Sequence, residues 1–162
     1  MKLISAPLLD ELAAKAAASP RRRAHYNLHA SQTDLVQRFV VVALRDSYIR
    51  PHRHWTHSEL ATVIRGRFEM VTFDDAGNIT ERCVIGEGTP HIAYELPQGT
   101  LHTVVPLTDG AAFLEVKEGP YDPATAAEFA PWAPEEGSAG IARFQSWLSQ
   151  APVGSRFSGR ES

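Results

Sequence analysis

The sequence predicts an all-β fold, a barrel or sandwich of short strands with a short helix at either end. Three observations carry this. Between Tyr48 and Lys117, apolar and β-branched runs recur at roughly ten-residue spacing. Each run stops at a Gly-, Pro- or Asp-rich turn, and the eleven Gly and eleven Pro residues favour turns over long helices. Helical spacing of apolar residues appears only near the two ends.

The elements follow in order. Leu8, Leu9, Leu12, Ala13 and Ala16 recur at helical spacing and Ser19-Pro20 ends the pattern, so residues 1–19 read as a short amphipathic helix. Asp10, Glu11 and Lys15 interrupt any apolar signal-peptide core, which places the protein in the cytosol. A basic stretch, Arg21-Arg22-Arg23, leads to His25, Asn27 and His29, and reads either as a solvated charge run or as a lining of the barrel mouth that clamps a phosphate or carboxylate. Segment 35–44 reads as a strand, with a helix as the alternative. Further strands are expected at 59–64, 67–73, 79–85, 92–96, 102–105 and 111–117, with a hairpin turn at Asp74-Asp75-Ala76-Gly77-Asn78. Residues 119–135 form a loop wrapping the barrel, residues 138–149 a last short helix, and the polar tail from Gly154 is expected to be mobile. The 162 residues suit one domain in three parts: a helix and basic segment (1–30), a barrel (31–122), and a C-terminal wrap, helix and tail (123–162).

Composition narrows the function classes. The net charge of −3 argues against a general binder of nucleic acid or membrane surfaces, which needs a basic excess. No run approaches the ~20 apolar residues of a membrane span. The single cysteine, Cys83, excludes an internal disulfide and a thiolate metal cluster.

The chemistry concentrates in Arg50-Pro51-His52-Arg53-His54-Trp55-Thr56-His57-Ser58-Glu59. On a strand, positions i and i+2 share a face, so His52 and His54 project side by side as two ligands of one ion must. Glu59 opens the next strand and can reach the same ion, and His102 follows the turn Pro97-Gln98-Gly99. Three imidazoles and a carboxylate suit one divalent Zn, Mn, Fe, Ni or Co ion. With neutral histidines the loaded site keeps a charge of about +1, which favours a small anionic ligand. His57 and His91 are the candidates for proton transfer. Arg21, Arg22, Arg50 and Lys117 are the candidates for binding an anion. Arg53, between two same-face histidines, is expected to point away, and Glu115 with Lys117 forms either a surface ion pair or a polar pair inside the barrel.

The spacing His52-x-His54-x4-Glu59-x6-Gly66, followed by Pro97-x-Gly99-x2-His102, resembles the two cupin motifs in their proper order. The framing residues depart from the pattern, with Asp46 and His91 where the motifs begin with Gly and Pro106 where the second ends in Asn. A narrower resemblance runs along most of the chain. It is carried by Ser19-Pro20-Arg21-Arg22-Arg23, Asn27-Leu28-His29, Val36-Gln37-Arg38 and Arg50-Pro51-His52-Arg53-His54. It continues through Phe73-Asp74-Asp75-x-Gly77, Glu115-Val116-Lys117-Glu118-Gly119-Pro120-Tyr121 and Phe129-Ala130-Pro131-Trp132-Ala133-Pro134-Glu135. These segments are similar to the WbuC family of small cupin metalloproteins. The resemblance implies a single-domain cupin, a double-stranded β-helix or jelly-roll barrel, with one bound metal. Some members of that family sit among bacterial O-antigen and surface-polysaccharide genes.

Three functions follow as expectations. The first is a metal-dependent enzyme (an isomerase or epimerase, a hydrolase or a dioxygenase) acting on a small carbohydrate-type or acidic metabolite in polysaccharide biosynthesis. The second is a non-catalytic metal-dependent module that senses a small molecule. The third is a metal-free scaffold. A homodimer joined through barrel edges is expected in each case.

Overall fold

The structure, a computed structural model, describes residues 1–159. In chain order the elements are α1 (Ala6–Ala18), β1 (Arg23–Asn27), β2 (Val36–Ala43), β3 (His52–Arg53), β4 (Glu59–Arg65) and β5 (Arg67–Phe73). They continue with β6 (Ile79–Gly86), β7 (Ala93–Leu96), β8 (Leu101–Pro106), β9 (Ala111–Glu118), β10 (Glu128–Phe129) and α2 (Ile141–Leu148). The strands form two five-stranded antiparallel sheets, ordered β1-β2-β9-β4-β7 and β10-β3-β8-β5-β6. This is the predicted all-β jelly roll with a helix near each end.

Local chemistry explains the ends of the elements. Ser5 caps α1 by accepting from the Leu8 amide, and Pro7 lies in the first turn, where a missing N–H costs nothing. In the β5–β6 hairpin the Asp74 carboxylate accepts from the Asn78 amide at 2.8 Å. Gly86 ends β6 at φ +116, and a Cβ there would lie 2.3 Å from the Gly66 carbonyl oxygen, so the chain needs glycine at this crossing.

Three apolar clusters organise the packing. The barrel interior holds Val41, Ala61, Phe68, Met70, Ile85, Val104 and Phe113. The outer face of the first sheet is covered by α1, whose Leu9 and Leu12 pack on Val40, Val42 and Ala112. Both faces of β2 are therefore buried, and this is why 35–44 shows a continuous apolar run rather than alternation. The outer face of the second sheet is covered by α2 and the chain beyond it. Val71, Phe73, Ile79 and Leu101 pack there against Phe144, Leu148, Trp132, Trp147 and Phe157.

The structure departs from the sequence expectations in three places. The basic segment is a strand: β1 pairs with β2 from Arg23↔Ala43 to Asn27↔Phe39. Ala24 and Tyr26 face α1, which leaves Arg23, His25 and Asn27 on the other face. The wrapping loop contributes β10, which pairs Phe129 with His52 on β3. The tail expected to be mobile from Gly154 instead docks: Phe157 is buried among Phe144 and Trp147, and Arg156 bridges to Asn78. Residues 160–162 of that tail lie outside the described residues. Among the described residues no helix is long and apolar enough to cross a membrane.

Candidate metal centre and the cavity around it

The barrel encloses a cavity of about 460 Å³ between the two sheets. His52 on β3 stands opposite His102 on β8, so the two motifs meet as a cross-strand pair. His54 lies just beyond β3, its ring centroid 5.0 Å from that of His52. Each of the three offers a ring nitrogen, and these atoms lie within 4.8 Å of one another.

All three imidazoles are oriented by backbone carbonyls. His52 Nδ1 meets the Arg50 carbonyl at 2.8 Å, His54 Nδ1 the Ala126 carbonyl at 2.5 Å, and His102 Nδ1 the Thr100 carbonyl at 2.9 Å. A carbonyl accepts and never donates, so each contact places the ring proton on Nδ1 and leaves a lone pair on Nε2. Burial favours the neutral form of His52 and His102. It pushes His52 down to about 3, helped by His102 and His54, and it also lowers His102, against the opposing pull of Glu59.

Glu59, at the start of β4, is almost fully buried and completes the cluster. Its Oε2 lies 3.1 Å from His54 Nε2 and its Oε1 4.0 Å from His102 Nε2. Burial alone raises this carboxyl; a proton on His54 Nε2, with charge on His102 and on the nearby Lys117, is what lowers it below its ordinary range. Tyr94 points its hydroxyl at Glu59 Oε1 from 3.5 Å. Lone pairs on His54 Nε2 and His102 Nε2 thus face a carboxylate, an arrangement that only a cation or a proton between them relieves. His102 Nε2 is buried with no hydrogen-bond partner among the described residues. The donor set of three neutral imidazoles and a carboxylate fits a divalent ion.

The other predicted residues divide. Arg21, Arg50 and Lys117 line the cavity. Arg50 lies over the Phe129 ring at 5.2 Å and donates to the Ala130 carbonyl, while its buried Nε has no partner among the described residues. Lys117 Nζ pairs with Glu115 Oε1 at 2.6 Å and sits 5.0 Å from the Phe39 ring centroid, so the Glu115–Lys117 pair is inside the barrel. Arg53 points away to Glu128 and Asp75, stacked on Trp55.

Three candidates fall outside the cavity lining. Arg22, at φ +57, turns to Asp46 and the Ala17 carbonyl. His91 is exposed in the turn before β7, where its carbonyl accepts from the Gly86 amide. His57 is half-buried and stacks on His54 at 4.5 Å between centroids, behind the cluster rather than in the cavity. The structure places Arg23 and His25 of the basic segment in the lining, as its barrel-mouth reading expects, and adds Gln37, Phe39 and Glu136. Arg23 and Arg21 both bind the Glu136 carboxylate, and Arg23 also donates to the Tyr48 carbonyl at 2.6 Å. The period-two alternation Arg23, His25, Asn27 was the available signal for this wall of the cavity.

Fold and site together define a cupin-type jelly roll that holds a buried three-histidine cluster. Solved structures share the fold. The capsular polysaccharide assembling protein CapF from Staphylococcus aureus superimposes with a TM-score of 0.54 at 17% identity, over 65% of this chain and 28% of that one. A recombinant oxalate oxidase in complex with glycolate gives 0.53 at 17% identity, over 71% and 58%. The DMSP lyase DddQ from Ruegeria pomeroyi DSS-3 gives 0.51 at 20% identity, over 66% and 51%. The chain thus spans less than two thirds of each of these chains. No curated protein matches it in sequence. The chain belongs to the family described as a domain of unknown function, DUF6016, whose model matches residues 4–85, half of its length.

Proposed function

We propose that this chain is a mononuclear metal-dependent cupin enzyme acting on a small carbohydrate-type or acidic metabolite. His52, His54, Glu59 and His102 would hold one divalent ion. The observation that carries the reading is the set of three imidazoles whose Nδ1 atoms are all anchored on carbonyls, leaving three Nε2 lone pairs directed into one buried space beside Glu59. Outer carbonyl anchors of this kind fix both tautomer and ring orientation, as metal-ligating histidines require. A bound ion would supply Lewis acidity toward a ligand oxygen.

The chain's own residues would do the rest. Arg50 and the Phe39 and Phe129 rings would seat the ligand in the cavity, and the Glu115–Lys117 pair lies on the same wall as Glu59. The cavity opens beside polar and cationic groups, which favours a ligand with hydroxyl and acidic functions over an apolar one. The resemblance to WbuC cupins, and the fold shared with a capsular polysaccharide assembling protein, support placing that ligand in surface-polysaccharide chemistry.

The test is a screen of sugar acids and sugar phosphates against metal-loaded protein, reading both melting temperature and turnover. At least one compound is expected to raise the melting temperature of wild type and not that of the His54→Ala/His102→Ala variant. Equal stabilisation of both would remove the cluster from ligand binding. Stabilisation without turnover would instead identify a sensing module.

A further inference from the structure

We infer that Arg21 and Arg23 form a second anion subsite in the cavity, built to take the carboxylate or phosphate end of a ligand, and that Glu136 occupies it as an internal substitute until the ligand arrives. This deepens the reading of the cavity as a ligand site and rests on it, but it does not depend on the metal.

The geometry is that of an oxyanion receptor. Glu136 Oε1 accepts from Arg21 Nη2 at 2.9 Å and from Arg23 Nη2, and Oε2 meets Arg21 Nε at 2.7 Å. Two guanidinium groups therefore bind one planar two-oxygen group, the arrangement that suits a carboxylate or phosphate. Arg23 is only 8% exposed and is held from behind, its stem on β1 and its Nη1 on the Tyr48 carbonyl. A buried guanidinium must keep an anionic partner. A neutral ligand cannot replace Glu136 there, and an acidic one can.

The two sides of the contact differ in how they are held. The arginines come from β1 and the turn leading into it, tied to β2 by the sheet. Glu136 comes from the loop between β10 and α2 and is one third exposed. The next residue, Gly137, has φ +81 and nothing near the position of a Cβ. The carboxylate can leave without disturbing the core. Its departure also changes the charge of the cavity. The lining carries Arg21, Arg23, Arg50 and Lys117 against Glu59, Glu115 and Glu136, so removing Glu136 raises the excess of cationic over acidic side chains from one to two.

The subsite is separate from the histidine cluster. Arg23 pairs with Ala43, which pairs with Ala111 at the start of β9, whereas Glu59 pairs with Lys117 near its end. A ligand that used both would be elongated, with its acidic group remote from the oxygen nearest the histidines.

The test uses full-length, chelator-treated protein at constant chloride, so that loss of the metal reading leaves it intact. Succinate and inorganic phosphate are titrated by calorimetry into wild type, Glu136→Gln and Glu136→Gln/Arg21→Gln. Removing the internal competitor is expected to tighten binding of at least one probe by about tenfold or more, and removing Arg21 as well to abolish the gain. The probe that responds distinguishes a carboxylate-ended from a phosphate-ended ligand. Equal affinity of wild type and Glu136→Gln for both probes, or a gain that survives Arg21→Gln, would overturn the proposal. Glu136→Asp, which keeps the charge and shortens the reach, provides the same comparison if Glu136→Gln fails to fold, with a smaller gain expected in the same direction.

Discussion

In a Glu59→Gln variant, affinity for a divalent ion is expected to fall by about a hundredfold or more while the metal-free protein keeps or gains stability. The two effects have one cause. Glu59 is the anionic member of a donor set otherwise made of neutral rings, and a cation loses most of its Coulombic attraction when it goes. In the metal-free protein the same carboxylate faces the lone pairs of His54 Nε2 at 3.1 Å and His102 Nε2 at 4.0 Å. A glutamine amide in its place can donate a hydrogen bond to His54 Nε2 and relieve that opposition. Metal titration and thermal melting of the two proteins check both halves. A variant that bound metal as tightly as wild type would remove Glu59 from the ligand set.

Phe144→Ala is expected to destabilise the fold by about 3–5 kcal/mol, as large-to-small changes at buried aromatics do. Phe144 is fully buried and its ring meets those of Tyr48, Trp132, Trp147 and Phe157. It joins α2, the docked tail and the loop after β10 to the outer face of the second sheet. At this chain length the loss should lower the melting temperature by roughly 10 °C. Phe157→Ala should show a smaller loss in the same direction, since its ring lies at the end of the cluster. A Phe144→Ala protein that melts with wild type would mean that the C-terminal segment does not stabilise the barrel.

Most of the barrel and the centre of the site could be read from the sequence because their signals are local. The β4 to β9 runs are punctuated by turn residues, and each lies within a residue or two of its expected range. His52, His54, Glu59 and His102 stand at spacings that a turn between strands converts into one cluster, and the cross-strand pair His52↔His102 joins the two motifs. Parity also worked for Arg53, which points away from its histidine neighbours.

The rest depended on information that is not local. The strand β1 reads as readily as a solvated basic run as a cavity wall, because its inward face is polar. Arg23, His25 and Asn27 line a wet cavity, and the apolar partners Ala24 and Tyr26 are too few to stand out. Parity within that strand selects Arg23 and rejects Arg22, but the strand had first to be seen. His91 stands where the second motif begins with Gly, and the chain there turns outward before β7. Glu136 reaches Arg23 across 113 residues, and nothing in its own neighbourhood marks it. Phe157 docks from a tail whose composition is otherwise polar, and a single aromatic residue gives no periodicity.

The measurement that tests the account most directly is the metal content of protein purified without a metal-affinity tag, for wild type and for His54→Ala/His102→Ala. The double variant should fold, since the cluster lies in the cavity wall rather than in the three apolar cores. The account predicts close to one divalent ion per wild-type chain and none in the double variant. The identity of that ion would then direct the assay, Zn or Ni toward hydrolysis or isomerisation and Fe or Mn toward oxygen chemistry. A wild-type protein that stays metal-free after incubation with each of these ions, or a double variant that retains its metal, would contradict it.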